Sequence, residues 1–133
     1  MTIRVALAAP DGEIWSGTAR MVIAKTRDGD IGILTGHPPV LGLLADASLV
    51  RILDIEDGEG SGGSLLAAVS TGFLAVADDR VSVLAREAQV GPRIDTAAAQ
   101  AVLTETEPPA AGEAESMEVR YSRALLQAAG ERS

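Results

Sequence analysis

The chain contains no cysteine, a single histidine (His37) and a single lysine (Lys25). Without cysteine there can be neither disulfides nor thiolate-metal sites. A lone histidine would leave a zinc site dependent on carboxylates for its other ligands. Aromatic residues are nearly missing as well, with Trp15, Phe73 and Tyr121 the whole set. A core must therefore be assembled from Val, Ile, Leu and Ala, which pack well on pleated sheets. Positive charge is scarce: 11 basic residues stand against 19 acidic ones, a net charge of −8. Such a chain repels phosphate backbones, which argues against a nucleic-acid partner, and it does not favour direct docking on anionic lipid. No apolar run reaches the roughly 18 residues of a membrane span. The opening MTIRVALAAPDGE carries one basic residue and too short an apolar run for a secretion signal. The expectation is a soluble cytosolic protein that reaches a membrane only through a partner.

The 133 residues fit one domain with a small appendage. Up to residue 88 the chain reads as β-structure. IRVALA, RMVIAKT, DIGIL, SLVRILDIE, SLLAAVS, GFLAVAD and RVSVLA are short and rich in aliphatic residues. Turn signals at Pro10-Asp11-Gly12, Asp28-Gly29, Asp57-Gly58 and Asp78-Asp79 separate them. That spacing predicts an antiparallel β-sandwich over 1–88. GFLAVA is apolar on both faces, which suits a strand covered on both sides, by a second sheet or by another protein. EDGEGSGGS (56–64) reads as a long hairpin loop. Composition then changes. Gly91-Pro92 punctuates the chain, and Asp95 is placed to cap an alanine-rich helix, TAAAQAVL, that must end before Pro108-Pro109. An acidic linker near 104–115 follows. Ser116 can cap a second helix running to Ala129, with Gly130 as its stop and Met117, Tyr121, Ala124, Leu125 and Ala128 along one stripe. The fold class expected is α+β: an N-terminal antiparallel sandwich, then a two-helix hairpin over 89–133.

Catalytic chemistry is hard to find. A nucleophile–base pair needs a hydroxyl or thiol beside a base that a third group orients. There is no G-x-S-x-G turn, and Thr35, two residues from His37, is no more than a neighbour. The glycines of GDIGILTGHPPVLGLL (29–44) lack the Lys-Ser or Lys-Thr that ends a phosphate loop. Asp78-Asp79 lies in a turn, where solvation accounts for it.

The order of the segments is more telling. Trp15-Ser16-Gly17, then Gly29-Asp30-Ile31-Gly32-Ile33-Leu34 through Gly36-His37, then Gly72-Phe73-Leu74, resemble the epsilon subunit of the bacterial F-type ATP synthase, with a short actinobacterial-like tail. The family usually has proline at the position of Thr35 and alanine at that of Pro38. The resemblance implies a β-sandwich with a C-terminal helical hairpin in the central stalk. It implies the gamma subunit, the polar loops of the c-ring and the catalytic alpha/beta head as partners. The expected role is non-catalytic: coupling proton-driven rotation to ATP synthesis from the cytoplasmic face of the bacterial plasma membrane. By the same resemblance Asp30, Gly32, Gly36 and His37 form the c-ring contact, where one acid beside glycines can approach basic loops closely.

In some relatives the hairpin binds ATP through an Ile/Leu-Asp-x-x-Arg-Ala run and arginines on the second helix. The matching positions here are Ile94, Asp95, Arg120 and Arg123, but Ala98 stands where the motif has arginine. A methyl group cannot replace that cation at a phosphate, and solvation or pairing with linker glutamates accounts for the two remaining arginines better than a phosphate contact does. The expectation is no cofactor and weak or absent ATP binding. The short, prolyl-linked, sparsely basic tail implies at most modest inhibition of ATP hydrolysis.

Overall fold

Alternation of aliphatic and polar residues governs the first ninety residues. In β1 (Ile3–Ala9) Ile3, Val5 and Leu7 are buried, while Arg4 is exposed. β8 (Arg80–Ala85) repeats the pattern with Val81, Val83 and Ala85 inward. A computed structural model describes residues 1–130; the last three residues of the expected hairpin domain lie outside the described residues. Nine strands form one sheet in the order β4-β7-β8-β1-β2-β5-β6-β9, with β3 attached to β2. Besides β1 and β8 these are β2 (Gly12–Thr26), β3 (Gly29–Ile33), β4 (Val40–Leu43), β5 (Ser48–Asp57), β6 (Leu65–Val69), β7 (Gly72–Ala77) and β9 (Ala88–Val90). The pairings are antiparallel except for β1 with β8.

The sheet closes over its own core because β2 is long. Its first half pairs β1 and its second half pairs β5 and β3, with a register shift between Thr18 and Ala19 where it passes from one layer to the other. Ile3, Val5, Leu74 and Val83 from one layer share a single core with Val50, Ile52, Ala67 and Val69 from the other. Gly17 sits at this crossing. A Cβ there would lie 2.1 Å from the Asp57 carbonyl oxygen, so the strands could not approach. The Trp15 indole N–H donates to the Glu59 carbonyl at 2.9 Å and pins the 56–64 hairpin loop over the crossing.

The chain then makes a 3-10 turn (Gly91–Arg93), α1 (Thr96–Glu105) and α2 (Met117–Gly130). The Asp95 carboxylate caps α1 by accepting from Ala98 N at 3.0 Å, and Ser116 Oγ caps α2 by accepting from Val119 N at 3.3 Å. Tyr121, Ala124, Leu125 and Ala128 are buried as the periodicity predicts and Met117 is half-buried; Val119 and Ser122 are buried as well. This stripe packs with Ala99 of α1 on Leu66 and Ala68, the outward residues of β6.

Sequence and structure differ at several points. The strand covered on both faces is β6, all five of whose residues are buried. β7, which holds GFLAVA, buries Leu74 and Val76 but leaves Phe73 39% exposed. RMVIAKT is only the second half of β2. β4 and β9 were not anticipated, and β9, antiparallel to β6, carries the sheet past residue 88. Gly130 is the last residue of α2 and not a stop beyond it.

Candidate functional site

The outer face of the β4-β7-β8-β1 layer carries an ordered pattern of side chains. Cross-strand register sets three rows. Leu43, Phe73, Leu84 and Ala8 form the first; Leu41, Ala75, Ser82 and Ala6 form the second; Ala77, Arg80, Arg4 and Thr18 form the third. The first two rows are apolar except for Ser82, and their large side chains are bare: Leu41 is 73% exposed, Leu43 56%, Leu84 43% and Phe73 39%. Several large side chains aligned on one uncovered face, while the other layer is roofed by the hairpin, mark a docking surface. The two-faced apolar character of GFLAVA was the sequence signal for it. The contribution of β4 (Val40–Leu43) was hidden in a stretch where the sequence predicted no strand.

The candidate ring-contact residues fall into two places. Asp30 is exposed on β3, opposite Lys25 of β2, and Gly32 lies opposite Ile23. Asp30 also lines an open cleft of about 720 Å³ with Lys25, Arg27, Asp46, Arg51 and, from α2, Arg120. Gly36 and His37 lie beyond the other end of β3, in the 34–39 loop. Gly36, at φ +85°, donates its N–H to Asp79 Oδ1 at 2.7 Å. His37 donates its backbone N–H to the Leu34 carbonyl at 3.1 Å. Its Nδ1 lies 2.7 Å from the Pro38 carbonyl, so that nitrogen carries the proton. The loop is thus closed on itself and tied to the β7–β8 turn, a bond across 43 residues that sequence reading did not find.

The four candidate nucleotide contacts are not brought into one pocket. Asp95 is occupied as the cap of α1, and Ile94 packs against the hairpin core. Arg120 faces the cleft that holds Lys25. Arg123 turns to the linker side, where its guanidinium donates twice to Glu115, both at 2.7 Å. That bidentate bond holds the Glu115 carboxyl below its ordinary range. Among the described residues, no group of His, Cys, Asp and Glu side chains is arranged to hold a metal, and no helix is long and apolar enough to cross a membrane.

A β-sandwich that roofs one layer with a C-terminal two-helix hairpin and leaves the other bare defines the class: an α+β protein built on an N-terminal sandwich. The family model for the ATP synthase delta/epsilon chain β-sandwich domain matches residues 2–91. The ATP synthase epsilon chain of Thermobifida fusca is 47% identical over 121 residues, covering 90% of this chain and 85% of that relative. That of Frankia casuarinae is 46% identical over 90 residues, covering 68% of this chain and 99% of the relative. A chain of the Euglena gracilis mitochondrial ATP synthase OSCP/F1/c-ring structure shares the fold. Its TM-score is 0.66 at 24% identity, covering 96% of this chain and 81% of that one. The protein belongs to the ATP synthase delta/epsilon-chain family, and its relatives are epsilon chains.

Proposed function

We propose that this chain is the non-catalytic epsilon-type subunit of a bacterial proton-translocating ATP synthase, held in the central stalk at the cytoplasmic face of the plasma membrane. The observation that carries the reading is the uncovered apolar face of Leu41, Leu43, Phe73 and Leu84. Within this family it is the surface to set against the gamma subunit, because burying it removes apolar area from water. β3 and the loop after it then meet the c-ring: Asp30 near the start of the strand, Gly32 near its end, and the loop of Gly36 and His37 beyond it. The surface acid opposes the basic polar loops of the ring, so charge complementarity sets orientation more than affinity. The chain transmits rotation by contact, and the C-terminal hairpin reaches the alpha/beta head only when it leaves β6.

ATP binding by the hairpin is weak or absent in this reading. Ala98 supplies no cation, Asp95 caps a helix, and Arg123 is already paired. Calorimetry with ATP on the purified chain should give no micromolar site. The coupling role is tested with Asp30→Arg, which should weaken c-ring association and lower ATP-driven proton pumping in reconstituted membranes. Pumping equal to wild type would remove Asp30 from the ring contact.

A further inference from the structure

The third row of the outer face contains an arrangement the fold itself has no use for. Arg4 and Arg80 are paired in register on the adjacent parallel strands β1 and β8. Neighbouring strands lie about 4.8 Å apart, and like charges set directly opposite destabilise a sheet. Both arginines are exposed, and neither guanidinium makes an ion pair or hydrogen bond among the described residues. The acids nearby do not serve them. Asp57 lies across Thr18 at the far end of the row, Asp79 accepts from Gly36, and Asp78 is exposed in the turn. The pair borders a groove of about 380 Å³ whose lining also includes Ser16, Thr18, Ser82 and, with no ion pair to either arginine among the described residues, Asp57. Its lining reaches Ala6 and Ser82 of the second row. In a chain of net charge −8, two adjacent cations on the same layer as the bare leucines, separated from them by Ala6 and Ser82, fit a partner that presents a carboxylate to one side of an apolar ridge.

We propose that Arg4 and Arg80 receive a carboxylate of the shaft subunit, fixing the rotational setting of the sandwich on the apolar ridge it grips. This rests on the docking-face reading above. Guanidinium groups suit the task because they bind carboxylate oxygens in a forked geometry. A protein is the better occupant than an anionic membrane, since the adjoining rows are flat, apolar and sheet-borne and the chain as a whole repels anionic lipid.

The test compares the full chain with Arg4→Gln/Arg80→Gln and with Leu43→Glu, measuring affinity for the purified gamma subunit across a salt series. The double glutamine variant should bind at least tenfold more weakly at low salt. It should show a flatter salt dependence, converge on wild type at high salt, and melt at or above the wild-type temperature, because a repulsive pair has been removed. Leu43→Glu should weaken binding at every salt concentration. Wild-type affinity and salt slope in the glutamine variant, with Leu43→Glu still defective, would overturn the arginine site and leave the docking face standing. Wild-type binding by Leu43→Glu would overturn both. A lowered melting temperature in the glutamine variant would assign the arginines to the fold. Loss of binding to phosphatidylserine vesicles with unchanged gamma affinity would assign them to a membrane.

Discussion

Asp79 shows how much one side chain can organise. It sits at φ 59°, a left-handed conformation that asparagine and glycine also accept, and its carboxylate holds the Gly36 amide. Asp79→Asn keeps an acceptor and the backbone preference, whereas Asp79→Gly keeps only the backbone. Amide exchange at Gly36 should therefore be near wild type in Asp79→Asn and faster by roughly tenfold in Asp79→Gly, as expected for loss of about 1–1.5 kcal/mol of hydrogen bond. Equal protection in the two variants would show that the bond does not brace the loop. Tyr121 makes a different prediction. Burial pushes its hydroxyl up from 10 to about 12, and the Glu87 carboxylate adds to the effect. Between those values the unfolded chain loses the proton while the folded chain keeps it. Stability is therefore at its full value below about pH 10 and falls as pH rises towards 12. The hydroxyl has no hydrogen-bond partner among the described residues, so Tyr121→Phe should cost little at pH 8 and should flatten the alkaline fall. Thermal melts at pH 8 and pH 11 check both statements.

Among the elements, β2 is the one on which the sandwich depends, and Gly17 is where it is most exposed to damage. Gly17→Ala forces a methyl group against the Asp57 carbonyl. It should destabilise the chain by roughly 1–3 kcal/mol, the range for overpacking, read as a lower denaturant midpoint. The strands that were legible beforehand are those whose alternation or aliphatic density is strong, such as IRVALA and RVSVLA. The first half of β2 was not, because Gly17 and its polar neighbours break the pattern at the point where geometry requires glycine. β4 and β9 were hidden for another reason. Four residues after Pro38-Pro39, and three between Ala88 and Val90, are too few to show a period. The helices were legible through their caps, Asp95 and Ser116. Their docking on β6 was foreshadowed only by helices too short and too weakly apolar to stand alone. Ala124→Asp should place an unpaired charge in that contact. The hairpin should become protease-sensitive while the sandwich, whose core is a separate cluster, keeps its melting temperature. A fall in sandwich stability of the same size as the loss of the hairpin would mean that the two fold as one unit.

At the scale of the whole molecule, the two faces of the sheet have different fates. One is covered by the chain's own helices, the other leaves Leu41, Leu43, Phe73 and Leu84 exposed. The Frankia casuarinae relative is matched over 99% of its length by 90 residues, so it lacks a counterpart to about a third of this chain. Of the site, the sequence exposed the residues but not their grouping. Asp30 and His37 lie within one quoted stretch yet at opposite ends of β3. Arg120 and Arg123, three residues apart, face different sides of α2. The bare face was readable only as two-sided apolarity in GFLAVA, since register across four strands cannot be read from any one of them. The most direct measurement is the affinity of the folded chain for the gamma subunit with and without Phe73→Glu. Contact through this face predicts measurable binding by wild type and a loss of about thirtyfold or more in the variant, the scale of a central interface residue. No binding by wild type, or equal binding by the variant, would contradict it.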